Sequence, residues 1–444
     1  MEIRDFFITP LVIILVYFVA YFIRPYVSDK TNRSYFFPAL TVKIIGAITV
    51  GIVYQFYYTS GDTFTYHTFG SRHVWQALVD SPLTGLKLLF ADPSHPFAGM
   101  YKYSSQIYFF KDPPSYLIVK IASVFDLFTF STYSATAVLF AVLSFSGMWM
   151  FFLTFYKKYP HLHQWLALAA FFIPSVFFWG SGILKDTITL ASLGMATYMF
   201  YLIFFEKKVK LKNIILLVIA LYFVFSIKKF ILQAYLPAVI LWVFASNYSS
   251  IRSQMLRLML VPVLSITCLY SAYYAIVKVG EGDEKYSVQN LAKTAQVTAF
   301  DIRYWSGREA GSGYSLGNLD GSFGSMLRLA PAAINVSLFR PYLWEVNNPL
   351  MFMAALESLF FLAVVLYIIV KKKMLLVKSL SNPDILFALV FSITFAFAVG
   401  VSTFNFGTLV RYKIPMLPFF LLALVLMLDY KKSDKKFSEL DSTE

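Results

Sequence analysis

The stretch YYTSGDTFTYHTFGSRHVW (57–75) sets Asp62, His67, Arg72 and His73 among aromatic side chains, directly after an apolar run. A carboxylate in the half-dry zone at the end of a membrane span suits a general base, because partial desolvation disfavours its charged form. Asp62 is the candidate base, and His67 and His73 lie within reach of the same pocket. The plain alternative is a helix cap at Asp62 with ordinary interfacial histidines.

Cations recur at other short breaks in apolar sequence. WGSGILKDT (179–187) interrupts a helix at Gly180 and Gly182 and sets Lys185 and Asp186 at a tight turn. Open N–H groups at a helix start, together with a lysine, make an anion site; the alternative is an Asp186 N-cap and a snorkelling Lys185. SIKKF (226–230) makes Lys228 and Lys229 the whole connection between two apolar runs. LFRPYLWE (338–345) brings Arg340, Trp344 and Glu345 together. An arginine fork pairs with phosphate or carboxylate and the indole offers a stacking face; the alternative is an Arg340–Glu345 pair with Trp344 at headgroup level. VRYKIPMLP (410–418) carries Arg411 and Lys413, and Arg303 and Arg308 stand upstream in a long polar stretch.

These residues need an apolar scaffold to position them. Of 444 residues, 58% are hydrophobic and 14% charged, with mean hydropathy +0.65. Soluble domains sit near half apolar and a quarter charged. Apolar runs close to the ~20 residues that cross a bilayer recur from end to end. The expected fold is all-α, a polytopic transmembrane bundle of about eleven spans. They fall near 6–24, 36–58, 131–155, 164–180, 187–205, 213–227, 231–246, 257–278, 349–370, 384–402 and 412–429. The chain reads as one integral membrane domain over 1–430 with a short polar tail, 431–444. The first apolar run reads as a span rather than a cleavable signal. The lone Cys268 excludes an internal disulfide and a paired-cysteine metal site. The net charge of +14 is better explained by basic residues on short cytoplasmic loops than by nucleic acid.

Basic clusters at 24–33, 157–158, 206–212, 252–257, 371–378 and 431–436 are each separated by two spans. The positive-inside rule puts them in the cytoplasm, the N-terminus outside and the C-terminus inside. A full span at 115–130 would break this parity, so that stretch reads as re-entrant or interfacial. The opposite face then carries the long loops 59–114 and 279–348 and the cation-bearing connections. In a compact bundle these meet in one cavity at the outer leaflet. Several cations, a carboxylate and aromatic walls suit a polyprenyl (pyro)phosphate-linked saccharide at a membrane lipid surface.

GDTFTYH after an early span resembles the acidic first external loop of GT-C glycosyltransferases, polytopic enzymes that use polyprenyl-phosphate-linked sugars on the outer membrane face. VRYKIPMLP is similar to the Arg-Tyr…Pro pattern near their last spans. LFRPYLWE, with the long late outer loop, resembles O-antigen-polymerase-type proteins, which bind undecaprenyl-pyrophosphate glycans through arginines in external loops. The resemblance implies transfer or polymerisation of lipid-linked sugars for surface polysaccharide at a bacterial cytoplasmic membrane, beside other polysaccharide-assembly proteins. It implies Asp62 as base toward the acceptor hydroxyl and Lys228, Lys229, Arg340 and Arg411 on the (pyro)phosphate. Lys185, Asp186, Arg303, Trp344 and Glu345 complete the candidate substrate contacts. The chain departs from the GT-C pattern in placing the acidic loop after the second span rather than the first. No Asp-x-Asp or Asp-Glu pair stands in that loop, so no metal or other cofactor is indicated, a divalent cation staying open. Rival readings are a transporter or flippase, which Lys43, Lys120 and Asp126 inside apolar runs keep open, and a non-catalytic subunit of a larger assembly.

Overall fold

The computed structural model describes residues 2–92, 97, 99–249, 266, 270–271, 273–280, 285, 287, 290–305, 312–317 and 319–431. A backbone in hydrocarbon must pair its own N–H and C=O groups, which a helix does within one segment. Accordingly, α1 (Ile3–Val27) and α2 (Arg33–Phe56) lead into the short helices α3 (Asp62–Tyr66), α4 (Arg72–Asp80) and α5 (Pro82–Phe90), then α6 (Pro113–Thr129). Next come α7 (Tyr133–Lys158), α8 (His163–Phe171), α9 (Pro174–Trp179), α10 (Lys185–Phe200), α11 (Leu211–Ile227), α12 (Lys229–Ser249) and α13 (Leu291–Trp305). The series ends with α14 (Ala330–Phe339), α15 (Pro349–Lys372), α16 (Pro383–Thr403), α17 (Phe406–Tyr412) and α18 (Leu417–Asp429). Among the described residues the only β pairing is a single bridge, Gly313 to Asn405.

Among the described residues seven helices are long and apolar enough to cross a membrane: α1, α2, α7, α10 with its continuation to Phe205, α12, α15 and α16. The pair α17–α18, bent by 68°, counts as an eighth if it forms one broken span. The molecule is thus a polytopic helical membrane protein. The expected spans that do not form single long helices have local causes. The run 164–180 is broken between α8 and α9, where Pro174 has no N–H to donate. The run 412–429 bends at 413–416, which holds Pro415. The run 213–227 forms the 17-residue α11. Most of 257–278 lies outside the described residues.

Polar contacts sort the two ends of the bundle. At one end Asp384 accepts from Lys158, from Tyr159 OH at 2.6 Å and from Trp242 Nε1 at 2.7 Å. His161 meets Asp429 at 3.0 Å and Lys157 meets Glu206 at 3.0 Å there. At the other end Asp62, Asp186, Lys228 and Arg411 meet. The N-terminal residues join that second end, since Asp5 accepts from Ser134 N at 2.9 Å and Glu2 pairs with Arg72 at 2.7 Å. The start of α1 and the end of α18 therefore lie at opposite ends of the bundle. Helix α6 starts beside Asp112, which pairs with Lys185 at 3.3 Å. It finishes at Thr129, hydrogen-bonded to Thr136 at 2.6 Å. Both points belong to the Asp62 end, so α6 lies along that end instead of running between the two.

The interior is filled by aromatic rings. Trp242 stacks on Phe387 at 4.5 Å and 7°, and Phe391 meets Phe419 at 4.7 Å. Helices α7 and α10 approach at Gly147 and Gly194. A Cβ on Gly147 would lie 2.1 Å from the Ala191 carbonyl oxygen, and one on Gly194 would lie 2.2 Å from that of Gly147. Small residues permit this backbone approach. Gly194→Leu is therefore expected to lower the thermal midpoint of the detergent-solubilised protein, at a cost of at least about 1–3 kcal/mol from overpacking. Gly324→Ala, where an added Cβ meets nothing within 4 Å, is expected to leave the midpoint unchanged in the same unfolding measurement.

Candidate functional site

Each charged side chain at the site end is carried by a chain turn. The chain leaves α2 through Gly61, whose φ is +146°. A Cβ there would lie 2.2 Å from the Tyr54 ring, so only glycine admits this turn. Asp62 then sits in the first turn of α3, where the helix dipole favours a negative charge. Asp186 occupies the first turn of α10 and is fully buried. Lys228 is the one residue between α11 and α12. Arg411 lies in the last turn of α17.

The four form one network. Arg411 donates from Nη1 to Asp62 Oδ2 at 2.7 Å and from Nε to Asp186 Oδ2 at 2.7 Å. Lys228 donates to the other oxygen of Asp186 and lies 4.6 Å over the Tyr412 ring. Tyr54 OH accepts from Arg411 Nη1 at 3.4 Å. The formal charges cancel, two carboxylates against two cations. The two aspartates differ in access: the side chain of Asp62 is 44% exposed, that of Asp186 0%. Arg411 is thus anchored on one side and open to exchange on the other.

A cavity of about 900 Å³ opens on this pair. Asp62 and Arg411 line it, while Asp186 and Lys228 stand behind. Its walls are Tyr54, Tyr57, Tyr58, the helix α9, the start of α15 and residues 405–412. Burial, reinforced by Tyr54 and Tyr57, pushes the Tyr58 phenol up to about 12. Helix α9 is fixed by charge at both ends. Glu357 accepts from Ser175 N and Ser175 Oγ, each at 2.8 Å. Lys43 donates to the carbonyls of Val176 at 3.1 Å and Gly180 at 3.0 Å. Glu357 thus meets open donors at the helix start and Lys43 the open carbonyls at its end.

The remaining candidates fall elsewhere. His67 does not share a pocket with Asp62. It is fully buried, 3.4 Å from Asp126 and edge-on to Tyr133 at 5.5 Å, because its side chain turns inward against α6 and α7. His73 meets Gln76 at the surface. Lys185 pairs with Asp112 and Lys229 lies 4.9 Å over Phe225; neither lines the cavity. Arg340 and Glu345 pair with each other: Arg340 Nε donates to both carboxylate oxygens, at 3.0 and 3.1 Å. Burial works against the Glu345 charge, but Arg340 and the Tyr342 N–H hold its pKa below the usual range. Trp344 is 82% exposed and stacks on Tyr342 at 4.8 Å. Lys413 is buried, donating to Ser358 Oγ at 3.2 Å, instead of standing at a span end. The side chain of Arg303, and Arg308 as a whole, lie outside the described residues. Among the described residues no three His, Cys, Asp or Glu side chains group as a metal ion would require.

Glu357 and Lys43 act on the cavity wall without having been candidates for the site. The available signal was an ionisable residue inside an apolar run, which is costly unless partnered. Comparison with protein-family models, curated proteins and solved structures finds no match.

Removing one member of a buried ion pair strands the other, at a cost of about 3–5 kcal/mol. Asp186→Asn is therefore expected to reduce the folded protein in membranes and its thermal midpoint. Asp62→Asn, at a half-exposed position, is expected to cost less than about 1 kcal/mol in the same unfolding assay. Equal losses in the two variants would contradict this division of roles.

Proposed function

We propose that the protein transfers or polymerises lipid-linked sugars at the outer face of a bacterial cytoplasmic membrane, with the donor's (pyro)phosphate entering the Asp62–Arg411 cavity. The observation carrying this reading is a half-exposed carboxylate paired to an arginine whose other side is anchored on a buried aspartate, at an aromatic-walled cavity. The GT-C-like loop at Asp62 and the arginine near the last spans support the same reading. The site end then faces outward with the N-terminus, and the basic end faces the cytoplasm. In this reading the α8–α9 pair and α11 add two further crossings.

The geometry suggests how the charges are used. Lys185, Lys228 and Arg340 do not line the cavity, whereas Arg411 does, so the phosphate charge falls chiefly to Arg411. An entering (pyro)phosphate exchanges with Asp62 on Arg411 Nη1, and the freed carboxylate faces the acceptor. The acceptor hydroxyl gives its proton to Asp62 and its oxygen bonds to the anomeric carbon. The bond from that carbon to the phosphate oxygen breaks, and the electron pair leaves with the phosphate. Fixed cations act most strongly on that developing charge. A second reading, transport of an anionic lipid-linked substrate, is favoured by the broken pair α8–α9, since interrupted helices with charged partners line transporter sites.

The test is complementation of a deletion strain with Asp62→Asn, with membrane levels checked and surface glycan profiled. The expected outcome is normal membrane level with glycan reduced by about 10²-fold or more, the scale of a lost general base, and lipid-linked donor accumulating. Unchanged glycan sinks the transferase reading. Lost glycan with donor trapped on the cytoplasmic face favours the transporter.

A further inference from the structure

Protein interiors pair nearly all their buried polar atoms, and each exception calls for a cause such as a bound water or ion. Among the described residues, most of the unpaired buried side-chain atoms gather in one place. His67 Nδ1 and Nε2, Ser71 Oγ, Asp126 Oδ2, Ser131 Oγ, Thr132 Oγ1, Ser134 Oγ and Thr9 Oγ1 are all buried with no hydrogen-bond partner in the protein. All seven residues are more than nine-tenths buried. The segments carrying them are in contact. His67 Nε2 lies 3.4 Å from Asp126 Oδ1, which also accepts from Thr136 Oγ1 at 2.7 Å. Ser131 N donates to the Asp126 carbonyl at 3.1 Å, and Ser134 N donates to Asp5 Oδ1 at 2.9 Å. Thr9 lies one turn beyond Asp5 on α1. None of these residues lines the Asp62 cavity.

With His67 neutral, the charge balance is also one-sided. Asp5 and Asp126 are both buried, and among the described residues neither has a lysine or arginine within ion-pair distance. Asp5 is satisfied by backbone N–H groups of Glu2 and Ser134. Asp126 keeps one oxygen with no donor, and the hydroxyls of Ser131, Thr132 and Ser134, likewise without partners, follow it where α6 passes into α7. A carboxylate oxygen and three hydroxyls left without partners in contacting segments suit a species held between them. A buried carboxylate is strongly disfavoured unless its charge is met.

We infer that this cluster is a site for one small monovalent cation of the Na⁺ class, held by Asp126 Oδ2 and the hydroxyls of Ser131, Thr132 and Ser134. Hard oxygen donors exclude a thiophilic metal. A single available carboxylate suits a singly charged ion better than Ca²⁺, which draws on six to eight oxygens with several carboxylates. His67 flanks the other carboxylate oxygen, and the site ties α1, α6 and α7 together.

The test uses the full chain purified in detergent, unfolded thermally in NaCl or choline chloride at equal ionic strength. A bound ion stabilises the folded state in proportion to its occupancy. The expected result is a midpoint that climbs with Na⁺ and saturates, while choline has no effect. Asp126→Asn and Ser131→Ala are expected to weaken the apparent Na⁺ affinity at least tenfold. Should Asp126→Asn not fold, Ser131→Ala and Thr132→Val carry the comparison. Equal wild-type midpoints in the two salts, or a Na⁺ effect kept by the variants that fold, overturn the inference. Activity of the Asp62 cavity does not enter the measurement.

Discussion

The contact between Arg411 and Asp186 holds this end of the molecule together. Asp186 opens α10 and Arg411 closes α17, so one ion pair joins the middle of the chain to its last membrane segment. Through Arg411 it reaches the loop after α2, and through Asp186 it reaches the turn between α11 and α12. Four connections that are distant in sequence thereby share one charge account. The segments of Asp186, Lys228 and Arg411 cannot move far apart, because these charges are buried and meet one another, whereas half-exposed Asp62 can be released to water. A low-dielectric surround makes this binding strict, since a stranded charge there is far costlier than in water.

That neutrality also explains how much of the site was legible beforehand. Asp62, Asp186, Lys228 and Arg411 were visible as charges at breaks in apolar sequence, and their convergence followed from the alternation of basic clusters. Their pairing was not visible. Residue types show that a lysine is a cation, but not that a carboxylate from another segment already neutralises it. Hence Lys185 and Arg340 read as anion contacts, whereas Asp112 and Glu345 hold them. His67 failed for a related reason: spacing along a short helix does not reveal which side of it faces the interior.

The fold was legible to the same depth. Long apolar runs such as 131–155 and 349–370 became the single helices α7 and α15 because nothing interrupts their backbone pairing. Hydropathy does not register a missing donor, so 164–180 and 412–429 looked continuous although Pro174 and Pro415 sit within them. Helix α6 was separable from the spans only through the parity of charge, and its contacts at both ends agree with that parity.

Helix α9 shows what such a break provides. A six-residue helix cannot hold itself by propensity, yet Glu357 and Lys43 grip its two ends from α15 and α2. Long helices facing lipid answer a change in bilayer thickness by tilting. The largely exposed α1 is of that kind. By contrast, α9 is positioned by side chains of α2 and α15 and has no hydrophobic length of its own to match. It therefore follows those two helices rather than the lipid: a bilayer whose thickness tilts α2 against α15 reaches the cavity wall through the Lys43 and Glu357 contacts.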